Sequence, residues 1–202
     1  HAVSHMLDRA LRSNQNDGVF FPVWGTCLGF EHLVEYFGGR HVLEDGYASE
    51  NVSLPLEQVD GAASQLYNDT AIYDMVTTRN ITLNNHRSGI RPATFQASAM
   101  LSSNFVITST NVDAYGRPFV STMEPRDPQR LPFYGVQYHP EKNLFEYGSY
   151  NGTDVPFEAI AHGEAARYFS FHLAQFWGRI ARRGQESQCP QAAGDVRSPH
   201  QY

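Results

Sequence analysis

The chain has 202 residues, enough for one sizeable domain with a buried core. Hydrophobic residues make up 41% and charged residues 18%, which is a globular rather than a disordered composition. The net charge of −6 and the sequence pI of about 5.8 argue against a nucleic-acid partner, which a basic surface would mark. No run approaches the roughly 18 apolar residues of a membrane span, so we expect no membrane partner.

The first elements describe a strand, a tight turn and a helix. Apolar residues at helical spacing predict a helix over 2–14. The apolar run 19–24 predicts a strand buried on both faces of a parallel sheet. A turn over 25–29 and a second helix over 30–37, ended by two glycines, follow directly.

The remainder of the chain alternates strands and helices. Strands are predicted at 80–83, 105–109, 119–123 and 133–137. The sequence between Asp113 and Gly116 reads as a turn, so the second and third of these strands should form a β-hairpin. Helices are predicted over 62–67 and 156–182, and a polar tail over 184–202 follows the domain that spans 1–183.

Residues 25–29 read GTCLG, the pattern glycine–x–nucleophile–x–glycine of a nucleophile elbow. In such an elbow Cys27 sits on a strained turn, and we expect side chains at positions 25 and 29 to collide there, hence glycine at both. The following helix directs its N-terminus at the sulfur, which favours the thiolate. It also presents the Leu28 N–H as an oxyanion donor. The alternative is an inert buried cysteine at a tight turn.

A cysteine nucleophile needs a base and a group that orients the base. His139 and Glu141 are two residues apart in an extended segment, so their side chains should lie on the same side. Pro140 keeps His139 out of the helical conformation. The sequence therefore predicts a Cys27–His139–Glu141 triad, against the alternative of a surface His-Pro-Glu at a strand end. The chain order, with the acid last, differs from that of the α/β-hydrolases.

The segments GTCLGFE and YGVQYHPEKNLFEY resemble the γ-glutamyl hydrolases, folate-polyglutamate-cleaving peptidases of the class I glutamine amidotransferase-like superfamily. The resemblance covers roughly residues 5–182. It implies an α/β fold with a mostly parallel central sheet, flavodoxin-like, flanked by helices on both faces. Amidotransferase domains typically continue the elbow as C-x-G-x-Q, whereas this chain has Glu31 at the last of these positions.

Three further residues enter as weaker candidates for substrate binding. The resemblance places His86 where the family has a histidine lining the substrate cleft, and a polar loop histidine is the alternative. Glu31 lies one helical turn after the elbow and is either cleft-facing or a surface charge that suits the helix dipole. Arg87, next to His86, could pair with a substrate carboxylate.

The resemblance implies cleavage of γ-glutamyl amide bonds in folyl or antifolyl poly-γ-glutamates through a thioester, with no metal and no cofactor. Cys27 would be the nucleophile, His139 the general base and acid, and Glu141 the orienting group. Two alternatives are a glutaminase that supplies ammonia to a synthase, and an inactive binding protein of the same fold.

Relatives in that family carry an upstream segment with the first strands and a Pro-Gly-Gly loop, one glycine of which completes the oxyanion hole. This chain begins with His1 and the elbow is already at residue 27, so we expect the segment to be a separate chain or to be missing. The expected partners are therefore an N-terminal fragment of the same precursor and a second copy in a homodimer. Cys189 is a candidate for a disulfide with a cysteine of that fragment, and a disulfide between Cys27 and Cys189 is the alternative.

Glycosylation sequons suggest where the protein resides. Four of them begin at Asn51, Asn68, Asn80 and Asn151. This number favours the secretory pathway, with a lysosomal, vacuolar or secreted protein, over chance occurrence in a cytosolic chain.

Overall fold

The computed structural model describes residues 2–59 and 62–188. Its α-helices are α1 (Ala2–Gln15), α2 (Leu28–Gly38), α3 (Thr70–Thr78), α4 (Pro92–Ala97), α5 (Ala99–Asn104), α6 (Lys142–Phe145) and α7 (Glu164–Gln188). Its strands are β1 (Val23–Thr26), β2 (Glu44–Leu54), β3 (Glu57–Gln58), β4 (Thr82–Gly89), β5 (Phe105–Val112), β6 (Pro118–Pro125) and β7 (Phe133–Val136). None of the helices in these residues is long and apolar enough to cross a membrane.

The first strand begins later than the apolar run predicted. The Asn14 side chain at the end of α1 accepts a hydrogen bond from the Phe21 N–H (2.9 Å) and donates one to the Phe21 carbonyl (2.7 Å). Because the backbone of Phe21 is committed to this contact and Pro22 has no N–H, residues 19–22 cannot join the sheet ladder. The strand is therefore confined to Val23–Thr26, which leads directly into the turn at Cys27.

The central sheet is mixed, in the order β1-β7-β6-β5-β3. The predicted α/β class is confirmed, but among the described strands only β1 and β7 pair in parallel, whereas the other three pairs of this sheet are antiparallel. The mostly parallel sheet that we expected is thus not formed by these residues. The physical reason is the connection over 126–132, which is shorter than the roughly dozen residues that a parallel crossover needs.

Helices cover both faces of this sheet, as predicted. Phe133 of β7 packs into a core with α1 and α2, where Phe30 and Leu33 are buried. Its neighbour Tyr134 points to the opposite face and packs with α3 and α7, where Phe169 is buried. Successive side chains of a strand alternate between faces, so a short strand between two helical layers needs apolar residues at nearly every position.

The β5–β6 hairpin is confirmed, and its turn has the predicted residues. The Gly116 N–H donates to the Asp113 carbonyl (2.9 Å), and Gly116 has φ +77°, a conformation that side-chain-bearing residues rarely adopt. The Asp113 carboxylate accepts hydrogen bonds from the backbone N–H groups of Tyr115 and Arg117. Strand β4 contains the predicted 80–83 strand only in part and pairs with β2 in a separate two-stranded sheet.

The helix predicted over 62–67 is wrong. The backbone of residues 62–67 is held instead by the buried carboxylate of Glu124, which accepts hydrogen bonds from the Ser64 hydroxyl (2.5 Å) and the Gln65 N–H (2.7 Å). The helix forms later, as α3, where Asp69 caps the N–H groups of Ala71 and Ile72.

The last helix is displaced from its predicted span. It begins at Glu164 rather than near residue 156, because Pro156 pairs with Ser149 and the Ala159 N–H bonds to Asn51 on β2. It continues to Gln188, beyond the predicted end at 182 and through the first residues assigned to a tail. Cys189 lies outside the described residues.

Candidate active site

Cys27 lies on a strained turn between β1 and α2. Its backbone has φ +49° and ψ −106°, a combination that costs a side-chain-bearing residue of order 1–3 kcal/mol. The turn is held from the sheet side by the Cys27 N–H, which donates to the carbonyl of Val136 (2.9 Å). From the helix side the Glu31 N–H donates to the Cys27 carbonyl (3.0 Å). The predicted elbow conformation is therefore present.

Only one of the two flanking glycines is required by the described structure. A Cβ at Gly25 would lie 2.6 Å from the carbonyl carbon and oxygen of Gly29 and 2.8 Å from the Phe30 nitrogen. These are backbone atoms that cannot move aside without distorting the turn. A Cβ at Gly29 would meet no described atom within 4 Å. The predicted collision is correct for position 25 and wrong for position 29.

The N-terminus of α2 follows the sulfur directly. Leu28 is the first residue of α2, so its N–H is one of the four that have no acceptor within the helix. The Leu28 side chain is 61% exposed, so it does not bury the turn at Cys27. A free N–H beside Cys27 suits the predicted role of oxyanion donor.

His139 reaches Cys27 because β1 and β7 are parallel neighbours. Their carboxyl ends meet at one edge of the sheet, with Thr26 beside Val136. The His139 N–H then donates to the Leu83 carbonyl of β4 (2.8 Å), which fixes the backbone just beyond β7. The imidazole lies close enough to Cys27 for this residue to act on its pKa, and its Nδ1 lies 2.7 Å from Oε1 of Glu141.

The charge state of His139 follows from these two contacts. Burial of the ring acts against the imidazolium, but the hydrogen bonds to Cys27 and Glu141 outweigh it and raise the pKa of His139 to about 9. The Glu141 side chain is half exposed. His139 is therefore an imidazolium at neutral pH, which can give a proton to a leaving group.

Gln137 is a residue of this site that sequence reasoning missed. Its fully buried side chain donates from Nε2 to Oε1 of Glu31 (3.1 Å), and the same Nε2 lies 4.0 Å from the Cys27 sulfur. Its Oε1 is buried with no hydrogen-bond partner in the described part of the chain. The available signal was spacing, because Gln137 lies two residues before His139 in an extended segment and therefore on the same side.

Glu31 is half-buried and is linked to the site through its hydrogen bond with Gln137. Burial raises the pKa of its carboxyl, and the hydrogen bond from Gln137 acts in the opposite direction. The contact that the structure gives Glu31 is with Gln137, so its predicted contact with substrate stays a prediction.

His86 and Arg87 lie on opposite faces of β4. His86 is buried, with Nδ1 2.8 Å from the Ser88 carbonyl oxygen, and burial lowers the pKa of His86 to about 4. The charge of His139 acts in the same direction. Arg87 points outward, is 75% exposed and pairs with Glu50 at 2.7 Å. The structure brings His86 to the site and leaves Arg87 outside it.

An apolar groove of about 280 Å³ opens beside the triad. Trp24 and Thr26 of β1 form one side, Leu173 and Trp177 of α7 another, and Glu141 lies at the rim. The groove lies along β1, one of the two edge strands among the described strands of this sheet.

The predicted glycosylation sites and the predicted absence of a metal can be compared with the structure. The four sequon asparagines are exposed, and the Asn51 side chain also accepts a hydrogen bond from the Ala159 N–H. Within residues 2–59 and 62–188, no group of three or more His, Cys, Asp or Glu side chains could hold a metal ion.

Comparison with known families places this site in its class. The family model described as "Glutamine amidotransferase class-I" matches residues 7–154, which include the elbow and the His139–Glu141 pair. The chain therefore belongs to the class-I glutamine amidotransferase family, as the fold and the elbow predicted.

Within that class the similar curated proteins are γ-glutamyl hydrolases. The chain is 36% identical over 166 residues to γ-glutamyl hydrolase B of Dictyostelium discoideum, covering 81% of this chain and 46% of the relative. It is 35% identical over 190 residues to γ-glutamyl hydrolase 1 of Arabidopsis thaliana, covering 90% and 50%. It is 33% identical over 171 residues to γ-glutamyl hydrolase of Homo sapiens, covering 83% and 50%. The predicted resemblance is confirmed, and the chain spans about half the length of these relatives.

Proposed function

We propose that this chain carries the catalytic residues of a cysteine γ-glutamyl hydrolase that cleaves folyl or antifolyl poly-γ-glutamates. The observation that carries the proposal is the arrangement of Cys27, His139 and Glu141, with the cysteine on a strained elbow and the histidine 2.7 Å from Glu141 and close enough to Cys27 for its pKa to be affected. The names of the relatives support the γ-glutamyl bond as the target, and the folyl part of the substrate rests on the resemblance of the sequence motifs.

In the proposed reaction the Cys27 thiolate attacks the carbonyl carbon of the γ-glutamyl amide and forms a carbon–sulfur bond. The carbonyl oxygen becomes an oxyanion that accepts a hydrogen bond from the Leu28 N–H. His139 gives its proton to the leaving amine nitrogen as the carbon–nitrogen bond breaks, which leaves a thioester. His139 then takes a proton from water, the hydroxide attacks the thioester carbon, and the carbon–sulfur bond breaks to regenerate the thiolate.

Glu141 supports both steps without exchanging a proton. Its carboxylate holds Nδ1 of His139, so Nε2 is the nitrogen that faces the sulfur and the substrate. The second oxyanion donor is proposed to be a glycine N–H from an N-terminal fragment of the same precursor, and the assembled enzyme is proposed to be a homodimer in the secretory pathway. The exposure of all four sequon asparagines supports that location.

The test is hydrolysis of a pteroyl-tri-γ-glutamate followed by mass spectrometry, using protein that includes any upstream segment. Loss of one or two glutamates is expected for the wild type, with no cleavage by Cys27→Ala. Glu141→Gln should reduce kcat about 10- to 100-fold because His139 loses its orienting carboxylate. Glu146→Gln is the matched control, since that carboxylate pairs with Lys142 and not with His139, and should keep full activity. Normal turnover by Cys27→Ala would exclude the proposed mechanism.

A glutaminase is the second candidate, and the class-I amidotransferase match favours it. It predicts release of ammonia from free glutamine, again dependent on Cys27. If the folded wild type cleaves neither substrate and Cys27 resists a small alkylating reagent, the remaining interpretation is a binding protein of the same fold.

A further inference from the structure

Both ring nitrogens of His86 face oxygen acceptors. Nδ1 lies 2.8 Å from the Ser88 carbonyl oxygen, and Nε2 lies 3.3 Å from Oδ1 of Asn84. The Asn84 amide is held in this orientation by its Nδ2, which donates to the Thr82 carbonyl (3.0 Å). Turning the amide over would place its oxygen against that carbonyl. A neutral imidazole has a single N–H, so it leaves one ring nitrogen with its lone pair directed at an oxygen.

The surroundings of His86 are buried and contain little to neutralise a charge. The rings of Tyr47 on β2 and Phe119 on β6 pack against the imidazole, with centroid distances of 6.5 and 4.8 Å. The charged groups that act on it are His139 and Asp113. Asp113 is engaged by Arg117 at 2.9 Å. Within the described residues, no carboxylate oxygen makes a hydrogen bond to the His86 ring.

We propose that Asn84 is a positioning residue that sets the protonation of His86. In the neutral ring the proton stays on Nδ1, where the contact with the Ser88 carbonyl is the shorter of the two. In acid a second proton binds Nε2, and this N–H then donates to Oδ1 of Asn84. Each donor in the hydrogen-bond series from the Ser88 carbonyl to the Thr82 carbonyl then faces an acceptor.

The consequence for the site, which rests on the proposed function, is a cation that appears beside His139 only in acid. Burial places the pKa of His86 at about 4, so the charge is absent at neutral pH and forms as the pH falls toward that value. A positive charge in the cleft attracts an acidic substrate. Asn84 thus supports activity in acid through His86 rather than by touching the substrate.

The experiment is an NMR titration of the histidine ring nitrogens in ¹⁵N-labelled protein, with the His86→Gln variant used to assign the signal. Wild-type His86 should carry its proton on Nδ1 near neutral pH and begin to take up the second near about pH 4. Asn84→Asp keeps the shape and provides a charged acceptor, so its His86 should titrate about one pH unit higher or more. Asn84→Leu should shift the titration to lower pH. Asn111→Leu, which removes another buried amide that does not contact His86, is the matched control.

The outcomes separate the two levels of the proposal. A neutral ring with its proton on Nε2, or a His86 titration that is the same in Asn84→Asp as in the wild type, would overturn the role of Asn84. A rise of kcat/KM on acidification that begins at a higher pH in Asn84→Asp than in the wild type would support the consequence for activity. Titrations as expected in a protein that cleaves no γ-glutamyl bond would count against the proposed hydrolase and still support the positioning of His86.

Discussion

The two glycines of the elbow should respond to the same substitution in opposite ways. Gly25→Ala places a Cβ 2.6 Å from the backbone of Gly29, a distance that real Cβ atoms do not adopt, so the turn must distort. Overpacking a core costs about 1–3 kcal/mol when side chains can yield. Here the obstacle is backbone, and we expect a loss of at least about 3 kcal/mol. Gly29→Ala adds a methyl group in a helix where nothing described lies within 4 Å, and should gain about 0.5–1 kcal/mol.

Urea unfolding measures this difference directly. With a slope of roughly 1–3 kcal/mol per molar urea, Gly25→Ala should lower the midpoint by about 1 M or more, and Gly29→Ala should raise it by a few tenths of a molar. Comparable destabilisation by both substitutions would refute the reasoning from the described contacts. A Gly29→Ala protein that is more stable but less active would show that position 29 must be bare for the approach of substrate rather than for folding.

Three further substitutions test the charges and hydrogen bonds of the site and core. The pKa of His139 is raised from about 6.5 to about 9. The charged His139 therefore stabilises the folded state below about pH 6.5, and this stabilisation is lost as the pH rises through 9. In urea unfolding, His139→Gln should remove this loss. Glu124→Leu leaves the Ser64 and Gln65 donors unpaired and should cost about 2–4 kcal/mol. Gln137→Leu should slow alkylation of Cys27 by iodoacetamide several-fold, since a donor near the sulfur is removed.

Each of these expectations can fail in a distinct way. An unchanged pH dependence in His139→Gln would mean that another group titrates in that window. A Glu124→Leu protein as stable as the wild type would mean that water satisfies the loop donors. Equal alkylation rates in Gln137→Leu and the wild type would show that Nε2 serves Glu31 alone.

The triad could be predicted from the sequence because its geometry is local. The bare position 25 and the helix after Leu28 determine the elbow, and Pro140 determines how His139 and Glu141 are presented. Only the meeting of the two motifs required the fold. The parallel pairing of β1 with β7 brings the two motifs together. The apolar run before the elbow indicated a strand of a parallel sheet.

Other features depend on partners that are distant in the chain. The contact of Gln137 with Glu31 forms because α2 packs against the end of β7, and no spacing rule links the two residues. The conformation of the loop over 62–67 depends on hydrogen bonds to the Glu124 carboxylate. The strand pattern around Glu124 does not show that this acid is buried. The antiparallel pairing of β6 with β7 was readable from the short connection between them, but the family resemblance led us to expect a mostly parallel sheet.

The strained backbone of Cys27 makes the stability of the fold and the proposed activity compete at one position. At φ +49° a glycine would relieve the strain, so Cys27→Gly should yield a protein that is inactive yet more durable. For protein engineering, the same substitution offers a sturdier scaffold with the cleft intact, suited to capturing substrate without cleaving it.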